Sequence, residues 1–121
     1  MKSAELKTWE DKLAFYDEII VTNDKFERQG KTMPYTSANT YMFTLLNKAG
    51  EIGMRLSKED GEEFMKEHET TTYKSYGAVI KNYVLIPEHL YDNMGLLAET
   101  LEKSYQYVMS FKPNPRKKKS E

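Results

Sequence analysis

A period of two, which is typical of β-strands rather than helices, runs through the segment Tyr41-Met42-Phe43-Thr44-Leu45-Leu46-Asn47-Lys48-Ala49-Gly50-Glu51-Ile52-Gly53-Met54-Arg55-Leu56. In its first half, one face is predicted to carry Tyr41, Phe43 and Leu45, and the other Met42, Thr44 and Leu46. In its second half, Ile52, Met54 and Leu56 alternate with Glu51, Gly53 and Arg55. The intervening Asn47-Lys48-Ala49-Gly50 ends on a glycine suited to the positive φ of a tight connection. The segment therefore predicts a β-hairpin with one face in a core.

A helix and an edge strand are predicted before this hairpin. Ser3 and Thr8 are both good N-caps for a helix that ends near residues 22–24. Phe26 then folds back as an anchor, and Met33-Pro34-Tyr35-Thr36 predicts an additional strand at the sheet edge, where proline is tolerated.

After the hairpin, the patterns alternate between helix and strand. Ser57 is placed to cap a short helix that ends near Glu67, and residues 70–73 and 78–86 favour extended structure around a turn at residues 74–77. Asn93 then caps a last helix, which ends before Pro113. The order of elements predicts an α+β domain with helices on one face of an antiparallel sheet.

The composition indicates one domain followed by a basic tail. The chain has 121 residues, 39% of them hydrophobic, and no cysteine, so we expect a single domain over residues 1–111 with neither disulfides nor a thiolate metal site. Residues 112–121 hold five basic residues and one acidic residue, so their net charge is +4. Because the net charge of the whole chain is −1, residues 1–111 carry a net charge of −5. We expect this tail to be disordered.

The sequence points to a cytoplasmic protein. It has no run of about eighteen apolar residues that would span a membrane. Its first residues lead into a charged helix rather than an apolar one, so we expect no secretory signal.

The order of motifs resembles the N-terminal domain of the TfoX/Sxy competence regulators and their stand-alone homologues. The resemblance covers about residues 10–110 and rests on Gly30-Lys31-Thr32-Met33-Pro34-Tyr35, the hairpin, the helix that follows it, Ser75-Tyr76-Gly77, and a strand that ends in Ile86-Pro87-Glu88. In place of the family's Met-Phe-Gly-Gly stretch, this chain has Met33-Pro34-Tyr35-Thr36. The resemblance implies a fold similar to that of secretion chaperones, often dimeric, and no catalytic residues.

Catalytic and metal-binding patterns are weak. Only His68 and His89 offer an imidazole base, Ser75 lies in a predicted turn, and no glycine-rich phosphate loop is present. Glu63 and Glu67 share a helix face from which His68 is turned by about 100°, so a solvated charged face is favoured over a metal site. We therefore expect no enzymatic activity, no cofactor and no metal.

A set of basic and aromatic residues is the candidate ligand or partner site. Such side chains can stack on bases or bind an anionic ligand; alternatively, the rings pack half-buried and the lysine heads stay in water, which the acidic body favours. The set consists of Lys31, Tyr35, Lys74, Tyr76, Lys81 and Tyr83.

Three functions are compatible with these features. The first is a non-enzymatic regulatory or protein-interaction module that binds a partner or itself, because the last helix carries more tyrosine and methionine than one core stripe requires: Met94, Tyr105, Tyr107 and Met109. The second is nucleic-acid-associated regulation through weak contacts of the basic tail. The third is a small-ligand sensor or an enzyme that uses a pocket near Lys31, Tyr35 and Tyr76.

Overall fold

The computed structural model describes residues 6–75 and 77–113. Its helices are α1 (Trp9–Ile20), α2 (Lys58–Glu67) and α3 (Met94–Met109), and a short 3-10 turn (Glu88–Leu90) precedes α3. Its strands are β1 (Tyr35–Ala38), β2 (Tyr41–Leu46), β3 (Ile52–Arg55), β4 (Thr72–Ser75) and β5 (Ala78–Leu85). All neighbouring strands are antiparallel, in the order β1-β2-β3-β5-β4, so the predicted α+β fold is confirmed. Within these two ranges, no helix is both long and apolar enough to span a bilayer.

The helices begin where their capping residues predict. The Thr8 hydroxyl accepts a hydrogen bond from the Asp11 amide, and the Asp11 carboxylate accepts one from the Thr8 amide, each at 3.1 Å. This reciprocal capping box satisfies two amides that a helix start leaves unpaired. The side chains of Ser57 and Asn93 cap α2 and α3 by accepting one hydrogen bond each, from the amides of Asp60 and Leu96. The other predicted start, Ser3, lies outside the described residues.

A β-bulge makes the predicted face assignment of β2 wrong. Thr36 pairs with Thr44 but Ser37 pairs with Met42, so Phe43 is an extra residue in β2. Because alternation breaks at a bulge, Phe43 and Leu46 both join the core beneath the helices, whereas Leu45 lies on the opposite face.

The helices pack together on one face of the sheet and enclose the main core. Tyr16 of α1 reaches Thr44 of β2, and the Thr44 hydroxyl in turn bonds that of Thr36, both at 2.6 Å between oxygens. This chain of buried hydroxyls satisfies polar groups inside the core. The main core comprises, among others, Phe15, Tyr16, Ile19, Phe43, Met54, Phe64, Val84, Leu97 and Leu101.

The β4–β5 hairpin curls over the opposite face and forms a second, smaller core. Lys74 and Ser75 lie in β4 rather than in the predicted turn, and the Asn47 side-chain amide donates to the Lys74 carbonyl at 2.8 Å. Asn47 directly follows β2, so this bond joins the outermost strand to the middle of the sheet. Beneath it lie Leu45, Tyr73 and Tyr83, flanked by Met33, Tyr35, Met42, Ile80 and Leu85.

Candidate interaction surface

An open groove of about 570 Å³ runs between the loop after α1, the outer edge of β1 and the end of α3. The loop brings both charged and apolar groups to it, β1 contributes main chain, and α3 contributes large side chains. Its lining residues are Asp24, Lys25, Phe26, Glu27, Gln29, Ser37, Ala38, Asn39, Tyr105 and Met109.

An ion pair ties the loop to α1. The Arg28 guanidinium donates through Nε and Nη2 to the two carboxylate oxygens of Asp17, at 3.0 and 3.3 Å, and through Nη1 to the Gly30 carbonyl at 2.8 Å. The hydrogen bond to Asp17 raises the pKa of Arg28. A two-pronged guanidinium–carboxylate contact fixes orientation as well as distance, so the wall of the groove has a defined position.

Glu102 of α3 ties down the start of the same loop. Its carboxylate accepts hydrogen bonds from Asn23 at 2.7 Å, from Lys25 at 2.9 Å and from Gln106 at 2.7 Å. The Gln106 hydrogen bond, followed by that of Lys25, lowers the pKa of Glu102. The start of the loop is therefore held in place against α3.

The floor of the groove is apolar. Phe26 packs edge-on against Phe43 with ring centroids 4.8 Å apart and against Tyr105 at 5.3 Å, which confirms its predicted role as an anchor. Met109 of α3 is 45% exposed beside it. An exposed methionine next to half-buried aromatic rings is typical of a surface that a partner covers.

The edge of β1 supplies hydrogen-bonding groups to this groove. The main chain of Tyr35 already pairs outward with Gln29. The Gln29 amide donates to the Tyr35 carbonyl at 2.8 Å, and the Tyr35 amide donates to the Gln29 carbonyl at 2.9 Å. Because successive residues of an antiparallel strand direct their amides to opposite edges, Ser37 directs its N–H and C=O outward as Tyr35 does. The groove thus combines a strand edge that is open at Ser37 with an apolar floor.

The tyrosines and methionines of α3 that were predicted to form a partner surface divide into two groups. Tyr105 and Met109 line the groove. Met94 packs against the main core, whereas the Tyr107 ring lies 4.7 Å from that of Phe111. Only half of the set therefore shares one surface.

The predicted cluster of lysines and tyrosines does not form one site among the described residues. Lys31 is exposed in the loop before β1, and Tyr35 packs against the second core while its hydroxyl donates to Gln29 at 3.4 Å. Lys74 is exposed on β4. Lys81 and Tyr83 of β5 do lie together, in a separate cleft, and Tyr76 lies outside the described residues.

The three residues of the possible metal site lie at the end of α2: His68 Nε2 is 3.9 Å from a carboxylate oxygen of Glu67, and both residues line one cleft with Glu63. Glu63 and Glu67 are exposed on α2, whereas the His68 ring packs 4.7 Å from Phe64. Across residues 6–75 and 77–113, no three His, Cys, Asp or Glu side chains are arranged to hold a metal ion. Ser75 is buried in β4.

The beginning of the basic tail contacts the sheet. The Tyr41 hydroxyl donates to the Lys112 carbonyl at 2.8 Å, a contact that sequence patterns did not predict. The remaining basic residues of the tail, at positions 116–119, lie outside the described part of the chain.

A scan against models of protein families gave no match, and a search of curated proteins found none with a similar sequence.

Proposed function

We propose that this protein is a non-enzymatic, cytoplasmic interaction module that binds an extended segment of a protein partner in the groove between β1 and α3. The observation that carries the proposal is Met109, which is 45% exposed over an apolar floor and lines the same groove as Ser37, whose N–H and C=O face outward from β1. A strand added to a sheet edge gains main-chain hydrogen bonds, and neighbouring pockets give it specificity.

The rim of the groove indicates the chemistry of the partner. Asp24 and Glu27 are exposed there, whereas the charge of Lys25 is balanced by Glu102 at 2.9 Å. We therefore expect an apolar segment flanked by basic residues. A regulatory role like that of the TfoX/Sxy N-terminal domains, which the order of motifs resembles, belongs to the same proposal.

A photo-crosslinking amino acid at position 109 tests the proposal in the full chain. We expect it to trap one defined partner, or a second copy of this chain, in host cells. The same amino acid at Lys66, which is exposed on α2, is the control position and is expected to trap neither.

Two matched substitutions complete the test. Met109→Lys places a charge in the groove and is expected to abolish binding of the trapped partner. Val21→Lys changes an apolar residue that is 77% exposed outside the groove lining and should leave binding intact. Equal binding by both variants, or recovery of nucleic acid alone in a salt-sensitive manner, would contradict the proposal.

A further inference from the structure

A second cleft, of about 310 Å³, opens between β2, β3 and β5 and is separate from the groove at β1. Its size is at the lower end of the range for small-molecule sites. Its lining residues are Met42, Arg55, Ile80, Lys81, Asn82 and Tyr83.

The guanidinium of Arg55 has no anionic partner among the described residues. Its Cζ atom lies 5.7 Å from the ring centroid of Tyr41, 5.9 Å from that of Tyr107 and 5.2 Å from that of Phe111. These rings attract the charge but do not replace a conventional acceptor for the N–H groups. The Arg55 Nε atom is buried and has no hydrogen-bond partner in the described part of the chain.

Tyr83 is the second unsatisfied group in the cleft. It is only 5% exposed, and its hydroxyl is likewise buried without a hydrogen-bond partner within the described ranges. Tyr83 is paired with Arg55 across β5 and β3, so two neighbouring residues each hold a spare donor. Folded proteins rarely leave buried polar atoms unpaired, and a bound ion can supply the missing partner.

The charge of the cleft favours one kind of ligand. Lys81 adds a second positive charge at the surface, and no carboxylate is among the described residues that line the cleft. Met42 and Ile80 add apolar walls. The body of the chain is acidic as a whole, so this concentration of positive charge is local.

We infer that the cleft binds a small organic oxyanion. Its carboxylate or phosphate group lies against Arg55, Lys81 and the Tyr83 hydroxyl, and its apolar portion lies against Met42 and Ile80. A planar guanidinium matches either oxyanion with two parallel hydrogen bonds.

Nuclear magnetic resonance of the ¹⁵N-labelled full chain tests this inference, because the Nε–H group of Arg55 gives its own signal. The probes are phenyl phosphate and phenylacetate, with inorganic phosphate and acetate as the matched anions that lack an apolar portion. We expect saturable shifts of the Arg55 Nε–H signal and of the amides of residues 80–83. Phenyl-bearing probes should bind several-fold more tightly than the bare anions, and a response to only one oxyanion class assigns that class.

Substitutions separate a specific site from general attraction of anions. Arg55→Lys keeps the charge but loses the planar fork, and we expect about tenfold weaker binding; Lys81→Gln and Tyr83→Phe should each weaken it several-fold. Lys66→Gln on α2 is the control and should change nothing. An Arg55 Nε–H signal unmoved by all four probes would overturn the inference, as would equal affinity in the Lys81→Gln and Lys66→Gln variants.

Discussion

The ring of Tyr73 lies directly on the backbone of Gly53. A Cβ atom added at Gly53 would be 2.5 Å from the Cγ and Cδ2 atoms of that ring, closer than atoms in contact can be. The Tyr73 hydroxyl passes beyond the glycine and lies 2.9 Å from the Glu51 carbonyl oxygen and 3.2 Å from that of Leu45. The missing side chain at position 53 is therefore what allows β4 to close over the sheet.

Gly53→Ala is expected to destabilise the fold by about 1–3 kcal/mol, the usual cost of forcing extra volume into a packed site. Chemical denaturation measures the change. Gly95→Ala in α3 is the matched control, because the nearest atom to its added Cβ is 3.8 Å away; we expect it to be neutral or to stabilise by about 0.5 kcal/mol. Equal effects at the two positions would rule out the packing explanation.

The chain of buried hydroxyls predicts an order of effects. Tyr16→Phe removes an outer hydroxyl and leaves Thr44 bonded to Thr36, so we expect a loss of about 1 kcal/mol. Thr44→Val removes the central hydroxyl and leaves two buried hydroxyls unpaired, so we expect about 2–4 kcal/mol. Urea unfolding compares the two variants, and a smaller loss for Thr44→Val would contradict the network.

Burial of tyrosines predicts loss of stability in alkali. Burial raises the pKa of Tyr91 to about 12 and also raises the pKa values of Tyr16, Tyr73 and Tyr83. Because the folded state disfavours the ionised form, this stability is fully present below the ordinary tyrosine pKa, near 10, and is lost as the pH rises through the folded values. Tyrosinate absorbance should therefore increase together with unfolding, and early ionisation of all nine tyrosines in a folded chain would refute this.

The lowered pKa of Glu102, which holds the loop at the groove, predicts how the stability of the fold changes in acid. The pKa of Glu102 is lowered in the fold, so its contribution is present above the ordinary pKa of a glutamate and is lost as the pH falls through the lowered value. Glu102→Gln should be less stable at neutral pH and should lose less stability on acidification. Urea unfolding from neutral pH to about pH 3 measures both, and parallel curves for the two proteins would exclude this role.

Local signals in the sequence were sufficient for most of the elements. Thr8 and Ser57 are hydroxyl residues followed three positions later by Asp11 and Asp60, so the helix starts could be predicted from capping chemistry alone. Gly50 has a φ of +80°, as its place in the hairpin connection predicts. These features depend on residues within one turn of each other.

Features that depend on distant residues were not predicted. The bulge at Phe43 follows from pairing with β1, and nothing in the alternation of β2 marks it. Asn82 has a φ of +69°, a left-handed conformation in the middle of β5, and its neighbours gave no turn signal. Tyr35 and Tyr83 are predicted as site residues from their residue type alone, whereas their surroundings depend on how β4 and β5 curl over the sheet.

The two proposed surfaces likewise depend on residues that are far apart in the sequence and could not be predicted from it. Arg55 belongs to no sequence motif, and only the fold shows that its guanidinium lies among Tyr41, Tyr107 and Phe111 without an ion-pair partner in the described ranges. The groove at β1 likewise joins Phe26 to Met109, which are far apart in the sequence. Met109 was predicted as part of a partner surface from its residue type, but the opposite wall was not.

The hydrogen bond from Asn47 to the Lys74 carbonyl limits how copies of this protein can assemble. It occupies an acceptor on the outermost strand, and the register shift of β4 against β5 makes that edge irregular, so β4 is a poor template for another strand. On the edge of β1, Gln29 already pairs with Tyr35, so strand pairing there is limited to the open stretch at Ser37. Two copies joined there would use up each other's open edge, and growth would stop at a closed pair instead of continuing into a fibre.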